Sequence, residues 1–189
     1  MSDNPLDRRA FFSFGFRKVL GKAVEVVDQK YSASEFVRPP GALPEIAFLA
    51  ACTRCGECET ACPVNAIRTL GTDQGLRAGT PIIEVNVTAC VMCADMPCAT
   101  VCPTDALTVP EDLWANVHLS RMAIDADRCI AFRDVECGVC ARVCPAGEGA
   151  LRIDARGRPV LGADCTGCGT CINACVTAPS SISTRPYGS

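Results

Sequence analysis

Residues 51–67 read ACTRCGECETACPVNAI, which places Cys52, Cys55, Cys58 and Cys62 within eleven residues and follows the last with Pro63. Four thiols this close cannot serve a disulfide framework. Disulfides spread cysteines to close loops, and three cysteines within seven residues have no room to bridge productively. Metal binding is the better reading.

The pattern repeats along the chain. A second group, Cys90, Cys93, Cys98 and Cys102, lies in CVMCADMPCATVCP. A third, Cys129, Cys137, Cys140 and Cys144, lies in CIAFRDVECGVCARVCP, and a fourth, Cys165, Cys168, Cys171 and Cys175, in CTGCGTCINACV. Together they use all 16 cysteines of the 189-residue chain. The first and fourth groups keep the C-x2-C-x2-C-x3-C spacing of bacterial two-cluster ferredoxins. The second widens its middle gap and the third its first gap, each leaving the terminal C-x3-C intact. Such spacing suits cubane iron–sulfur clusters, with three cysteines wrapping one cluster and the fourth reaching to the other cluster of a pair. Four [4Fe-4S] clusters are therefore expected, held by the sixteen cysteines named above.

The fourth cysteine of each group is expected to open a helix, since Pro63, Pro103 and Pro145 follow three of them and proline suits a first helical position. Val176 replaces it in the fourth group. Gly56, Ala94, Gly138, Gly167 and Gly169 lie between ligands, where backbone must approach sulfide closely. Zinc is the rival metal, but its sites join separated cysteine pairs and often use histidine. The single histidine, His118, lies outside every group and is assigned no role. The C-x3-C-x2-C spacing of radical enzymes does not occur.

Composition agrees. Only 5% of residues are aromatic, so the core must be held by something other than large rings. Apolar runs fall far short of the roughly 18 residues that cross a bilayer. Residues 39–189 hold eleven arginines, no lysine and sixteen acids, an acidic body that argues against nucleic-acid binding. No phosphate loop, paired catalytic carboxylates or nucleophile motif stands out, so the chain reads as an electron-transfer component without its own catalytic site.

Between the cysteine groups lie short strand patterns. Residues 150–154 and 158–161 read as a hairpin, and residues 66–70 and 82–87 as another across a glycine-rich insert at 71–79. The fold expected is α+β, two tandem bacterial-type two-cluster ferredoxin modules behind an N-terminal amphipathic helix. The divisions are 1–38 for helix and linker, 39–115 for the first module and 116–189 for the second. Residues 106–109 and 122–125 also read as strands, so nesting the second and third groups inside the first and fourth remains open. Tandem pairing gives Cys129, Cys137 and Cys140 with Cys175, and Cys165, Cys168 and Cys171 with Cys144.

RPPGALPE at 38–45, FLAACTRCGECETACP at 48–63, CVMCADMPCATVCPTDAL at 90–107 and the stretched third group together resemble the NapG/MauM-type ferredoxins. That resemblance spans about residues 38–178. It implies electron transfer between a membrane-bound quinol-oxidising partner and a catalytic oxidoreductase subunit, with the sixteen cysteines as ligands. The alternative is a non-redox interaction protein whose clusters only hold the fold.

Members of that family usually carry a twin-arginine export signal. Arg8 and Arg9 are followed by Phe11 and Phe12, but Arg17, Lys18, Lys22 and Glu25 interrupt the apolar stretch an export signal requires. At helical period, Phe12, Phe16, Val19, Leu20, Ala23, Val26 and Val27 form one face instead. That face could pack on the chain's own body, dock on a partner or touch a membrane peripherally. The expected location is cytoplasmic or membrane-associated, with periplasmic twin-arginine export as the alternative.

Overall fold

The computed structural model describes residues 36–112, 114–115 and 117–186. The expected amphipathic stripe from Phe12 to Val27 lies outside the described residues.

Helix α1 (Glu45–Ala51) buries Phe48 completely. Burying one such ring contributes about 2 kcal/mol, an appreciable share for a chain with few aromatics. At Cys52 the backbone turns extended, which ends the helix and begins the first thiol loop. Four helices of one turn follow: α2 (Glu57–Thr60), α3 (Pro97–Thr100), α4 (Val139–Arg142) and α5 (Thr170–Asn173), one in each cysteine group. Three start from a glycine in the left-handed region, and α3 starts from Met96.

The third cysteine of each group sits within these helices, and the fourth lies one residue beyond the C-caps Ala61, Val101, Val143 and Ala174. This corrects the expectation that the fourth cysteine opens a helix. Pro63, Pro103 and Pro145 stand two residues past the cap, where proline's missing donor and fixed ring stop the helix.

Strands β1 (Ile67–Thr69) and β2 (Pro81–Ile83) pair antiparallel, with Ile67 opposite Ile83. The insert between them contains a 3-10 segment at Thr72–Arg77. Arg54 holds that insert by donating to the carbonyls of Leu76 and Ala78, both at 2.9 Å. The strand expected through residue 87 stops at Ile83, because Glu84 accepts from the N–H groups of Val87 and Thr88 and turns the chain. Strands β4 (Leu151–Ile153) and β5 (Pro159–Leu161) form the other expected hairpin.

Strand β3 (Ser120–Ile124) pairs antiparallel with β6 (Ile182–Pro186), tying the entry of the second half to the segment beyond its last cysteine group. Residues 106–109 form no full strand; Leu107 makes only an isolated bridge to Ala42. The core is continuous through both halves, with Phe48, Ile67, Ile83, Met96 and Leu107 joined to Leu119, Leu151, Ile172 and Ile182 among buried cysteines.

Candidate cluster-binding sites

All sixteen thiols are free, and they gather in four quartets that ignore sequence order. Cys52, Cys55 and Cys58 surround one hollow together with Cys102 from the second group. The second hollow reverses the exchange, with Cys90, Cys93 and Cys98 joined by Cys62 from the first group. A third is lined by Cys129, Cys137 and Cys140 with Cys175. In the remaining quartet, Cys165, Cys168, Cys171 and Cys144 lie close enough for their charges to interact.

The chemistry of these donors fits cubane clusters. Each quartet offers four thiols; no histidine lines the three hollows, and Glu57 beside the first is the one carboxylate residue among their linings. Among the described residues, no three His, Cys, Asp or Glu side chains converge tightly enough for a single metal ion. The thiols instead surround hollows with largely apolar linings such as Val64, Ala66 and Ile67. A larger body bound at several corners matches that arrangement better than one tetrahedral ion.

Burial controls the thiols' acidity. It pushes Cys58, Cys90 and Cys171 up to about 12 and Cys98 to about 11, reinforced by neighbouring cysteines. Without a cation these groups are neutral thiols at physiological pH, so metal capture must displace their protons. Two remote cysteines behave oppositely. For Cys102, burial raises the value, but the backbone N–H groups of Leu107, Thr104 and Ala106 and the Thr104 hydroxyl outweigh it and lower the thiol.

At Cys175 burial also raises the thiol. The hydroxyl and N–H of Thr177, the Ser181 N–H and the Ser180 hydroxyl outweigh it and bring the thiol to about 6. Thr177 Oγ1 is 3.2 Å from the Cys175 sulfur and 2.7 Å from Ser181 Oγ. With sulfur as a thiolate, the Thr177 hydroxyl donates to it and accepts from Ser181. These hydroxyls went unnoticed in the sequence, although TAPSS just beyond Cys175 displays them.

Trp114 was also missed as a site residue. Its indole N–H donates to the Cys93 carbonyl at 3.0 Å, and its ring lines the second hollow. His118 is exposed, with Nδ1 3.3 Å from the Cys165 carbonyl. A cleft of about 500 Å³ between Arg38, Pro44, Thr108 and Leu119 contains no thiol in its lining.

Two segments of the chain match models described as a 4Fe-4S dicluster domain, residues 51–106 and residues 121–176. The methylamine utilization ferredoxin-type protein MauM of Methylorubrum extorquens is 39% identical over 160 residues, covering 79% of this chain and 72% of the relative. The chain belongs to the NapG/MauM family of ferredoxin-type proteins. The ferredoxin-type protein NapG of Escherichia coli is 36% identical over 88% of this chain and 78% of its own length. MauM of Methylophilus methylotrophus is 36% identical over 95% of this chain and 84% of its own length.

Membership with two dicluster domains makes the chain an electron-transfer iron–sulfur protein carrying four [4Fe-4S] clusters in an oxidoreductase system. Its 16 cysteines fit that cofactor complement. Among the described residues, no helix is long and apolar enough to cross a membrane.

Proposed function

We propose that the chain relays single electrons between redox partner proteins, one a membrane-bound quinol-oxidising component and the other a catalytic oxidoreductase subunit, without a catalytic site of its own. The observation that carries this reading is the exchange of remote cysteines within each half, which brings the thiols into four neighbouring quartets. The ligands are Cys52, Cys55, Cys58 and Cys102; Cys62, Cys90, Cys93 and Cys98; Cys129, Cys137, Cys140 and Cys175; and Cys144, Cys165, Cys168 and Cys171. The modules are residues 39–115 and 116–189, with Val37 and Arg38 bound onto the first by contacts to Ile83, Thr80 and Pro81. When bound, the clusters supply one-electron chemistry, while the chain supplies thiolates, hydrogen bonds and protection from water.

Anaerobically purified protein should contain about sixteen iron and about sixteen sulfide per chain and bleach reversibly with a low-potential reductant. Stoichiometric zinc would overturn the ligand reading. Clusters that cannot be reduced and reoxidised would favour a purely structural role.

Hydrogen bonds to a ligand sulfur stabilise the more negative, reduced state of a cluster. Thr177→Val should therefore lower the reduction potential of the cluster that includes Cys175. A difference of about 1 kcal/mol between oxidation states corresponds to roughly 40 mV for one electron. Potentiometric titration followed by electron paramagnetic resonance would show one downward-shifted cluster, with the other three unchanged.

A further inference from the structure

Between the halves, the loop before the second cysteine group meets the fourth-group loop. The Cys90 N–H donates to the Cys168 carbonyl at 2.9 Å, and the Thr170 hydroxyl donates to the Cys90 carbonyl at 3.3 Å. Asn173 grips the same loop through both ends of its amide, accepting from the Ala89 N–H at 2.8 Å and donating to the Val85 carbonyl at 3.3 Å. Gly169 permits this approach, because a β-carbon there would come within 2.7 Å of the Val85 side chain. These contacts join ligand loops rather than remote surfaces. Within the halves, Cys58 is near enough to Cys98, and Cys171 to Cys140, for their charges to interact.

We propose that the contact between Cys90 and Cys168, clamped by Asn173 and Thr170, is where electrons cross from one module to the other. This inference rests on the ligand reading above and adds an order to it. From one end to the other, the quartets run from that of Cys52 to that of Cys90, then to that of Cys168 and finally to that of Cys129. The sequence order of the third and fourth groups is thus reversed along the route. At each transfer one site loses an electron and its neighbour gains it, with no bond made or broken. A donor redox protein supplies the electron at one outer quartet and an acceptor redox protein removes it at the other. Asn173 and Thr170 act as positioning residues, because electron tunnelling weakens steeply as the gap between sites opens.

The test uses full-length holoprotein, fully reduced by a chemical reductant, and two readouts besides activity. Electron paramagnetic resonance measures magnetic coupling between reduced clusters, and hydrogen exchange measures protection of the Ala89 and Cys90 amides. Wild-type protein should show coupling across all four sites and strong protection at both amides. Asn173→Ala should retain its iron while exchange at both amides rises at least about tenfold, the result of losing one direct bond and loosening another. Its inter-module coupling should weaken, leaving the spectrum of two separate cluster pairs. If Asn173→Ala loses iron, Thr170→Val removes a different clamp and provides the same comparison. Full iron with unchanged coupling after loss of amide protection would overturn this crossing point, as would unprotected amides in wild-type protein. Neither result would alter the iron and sulfide count that tests the ligand reading.

Discussion

Gly167→Ala is expected to empty the second module of about half the protein's iron, from about sixteen atoms per chain to about eight. Gly167 lies in the left-handed region at φ +70°, between Thr166 and Cys168. A β-carbon would collide with the Ser120 backbone carbonyl, which has little freedom to retreat because Ser120 begins β3 and is buried. The Leu119 N–H donates to the Thr166 carbonyl at 2.7 Å, and the Ser120 hydroxyl donates to that of Gly167, also at 2.7 Å. Relieving the collision therefore pulls the fourth-group loop from the strand that positions it. Because, on the proposed pairing, each cluster of this module takes a thiol from the other group, both should be lost together.

The control is Gly157→Ala, at φ +77° in the turn between β4 and β5, where a β-carbon meets nothing within 4 Å. It should cost only about 1–2 kcal/mol of left-handed strain and keep the full iron content. Iron analysis of the two variants separates collision from loss of a left-handed glycine. Full iron in Gly167→Ala would contradict the packing described here.

Arg38→Ala should have the next largest effect, through stability rather than ligation. Arg38 donates twice to Glu45, at 2.9 and 2.6 Å, and also reaches Thr80 Oγ1 and the Pro81 carbonyl. Its guanidinium lies 4.7 Å from the centre of the Phe48 ring. The side chains of Arg38 and Glu45 are only 9% and 5% exposed. Truncation would leave a buried carboxylate supported by Arg77 at 3.2 Å, and breaking such a pair costs about 3–5 kcal/mol. Helix α1 runs from Glu45 directly into Cys52, so the loss should loosen the first thiol loop. Loss of visible absorption in denaturant should accelerate about a hundredfold or more. Arg38→Lys keeps the charge but loses the planar fork and should fall between. An unchanged bleaching rate for Arg38→Ala would show that this pair does not limit cluster release.

The sequence made local features readable and left longer-range ones obscure. Cysteine spacing reveals four groups because metal geometry imposes short, recurrent gaps. The two hairpins are visible because each closes over a short or glycine-rich connection. Which group lends its fourth thiol to which remained open, since tandem and nested arrangements use the same spacing. The pairing of β3 with β6 explains the difficulty, because its strands are more than fifty residues apart and nothing near Met122 identifies Thr184 as its partner. The same limitation hid Arg38. RPPGALPE at 38–45 stood out as a motif, but only folding brings Arg38 to Thr80 and Pro81. Proline at the fourth cysteines was misread because it suits both the beginning of a helix and the residues just beyond its end.

The exchange of thiols within each half also bears on biosynthesis. On the proposed pairing, a growing polypeptide displays Cys52, Cys55 and Cys58 well before Cys102 leaves the ribosome, so the first site lacks its fourth thiol for a further 44 residues of synthesis, from 58 to 102. Cys129, Cys137 and Cys140 similarly await Cys175. On that pairing, neither half has its full set of thiols until its last cysteine has been made. A chain that stops short of Cys102 or of Cys175 then carries three thiols of a site without the fourth, so incomplete translation should leave that site unfinished and the product paler.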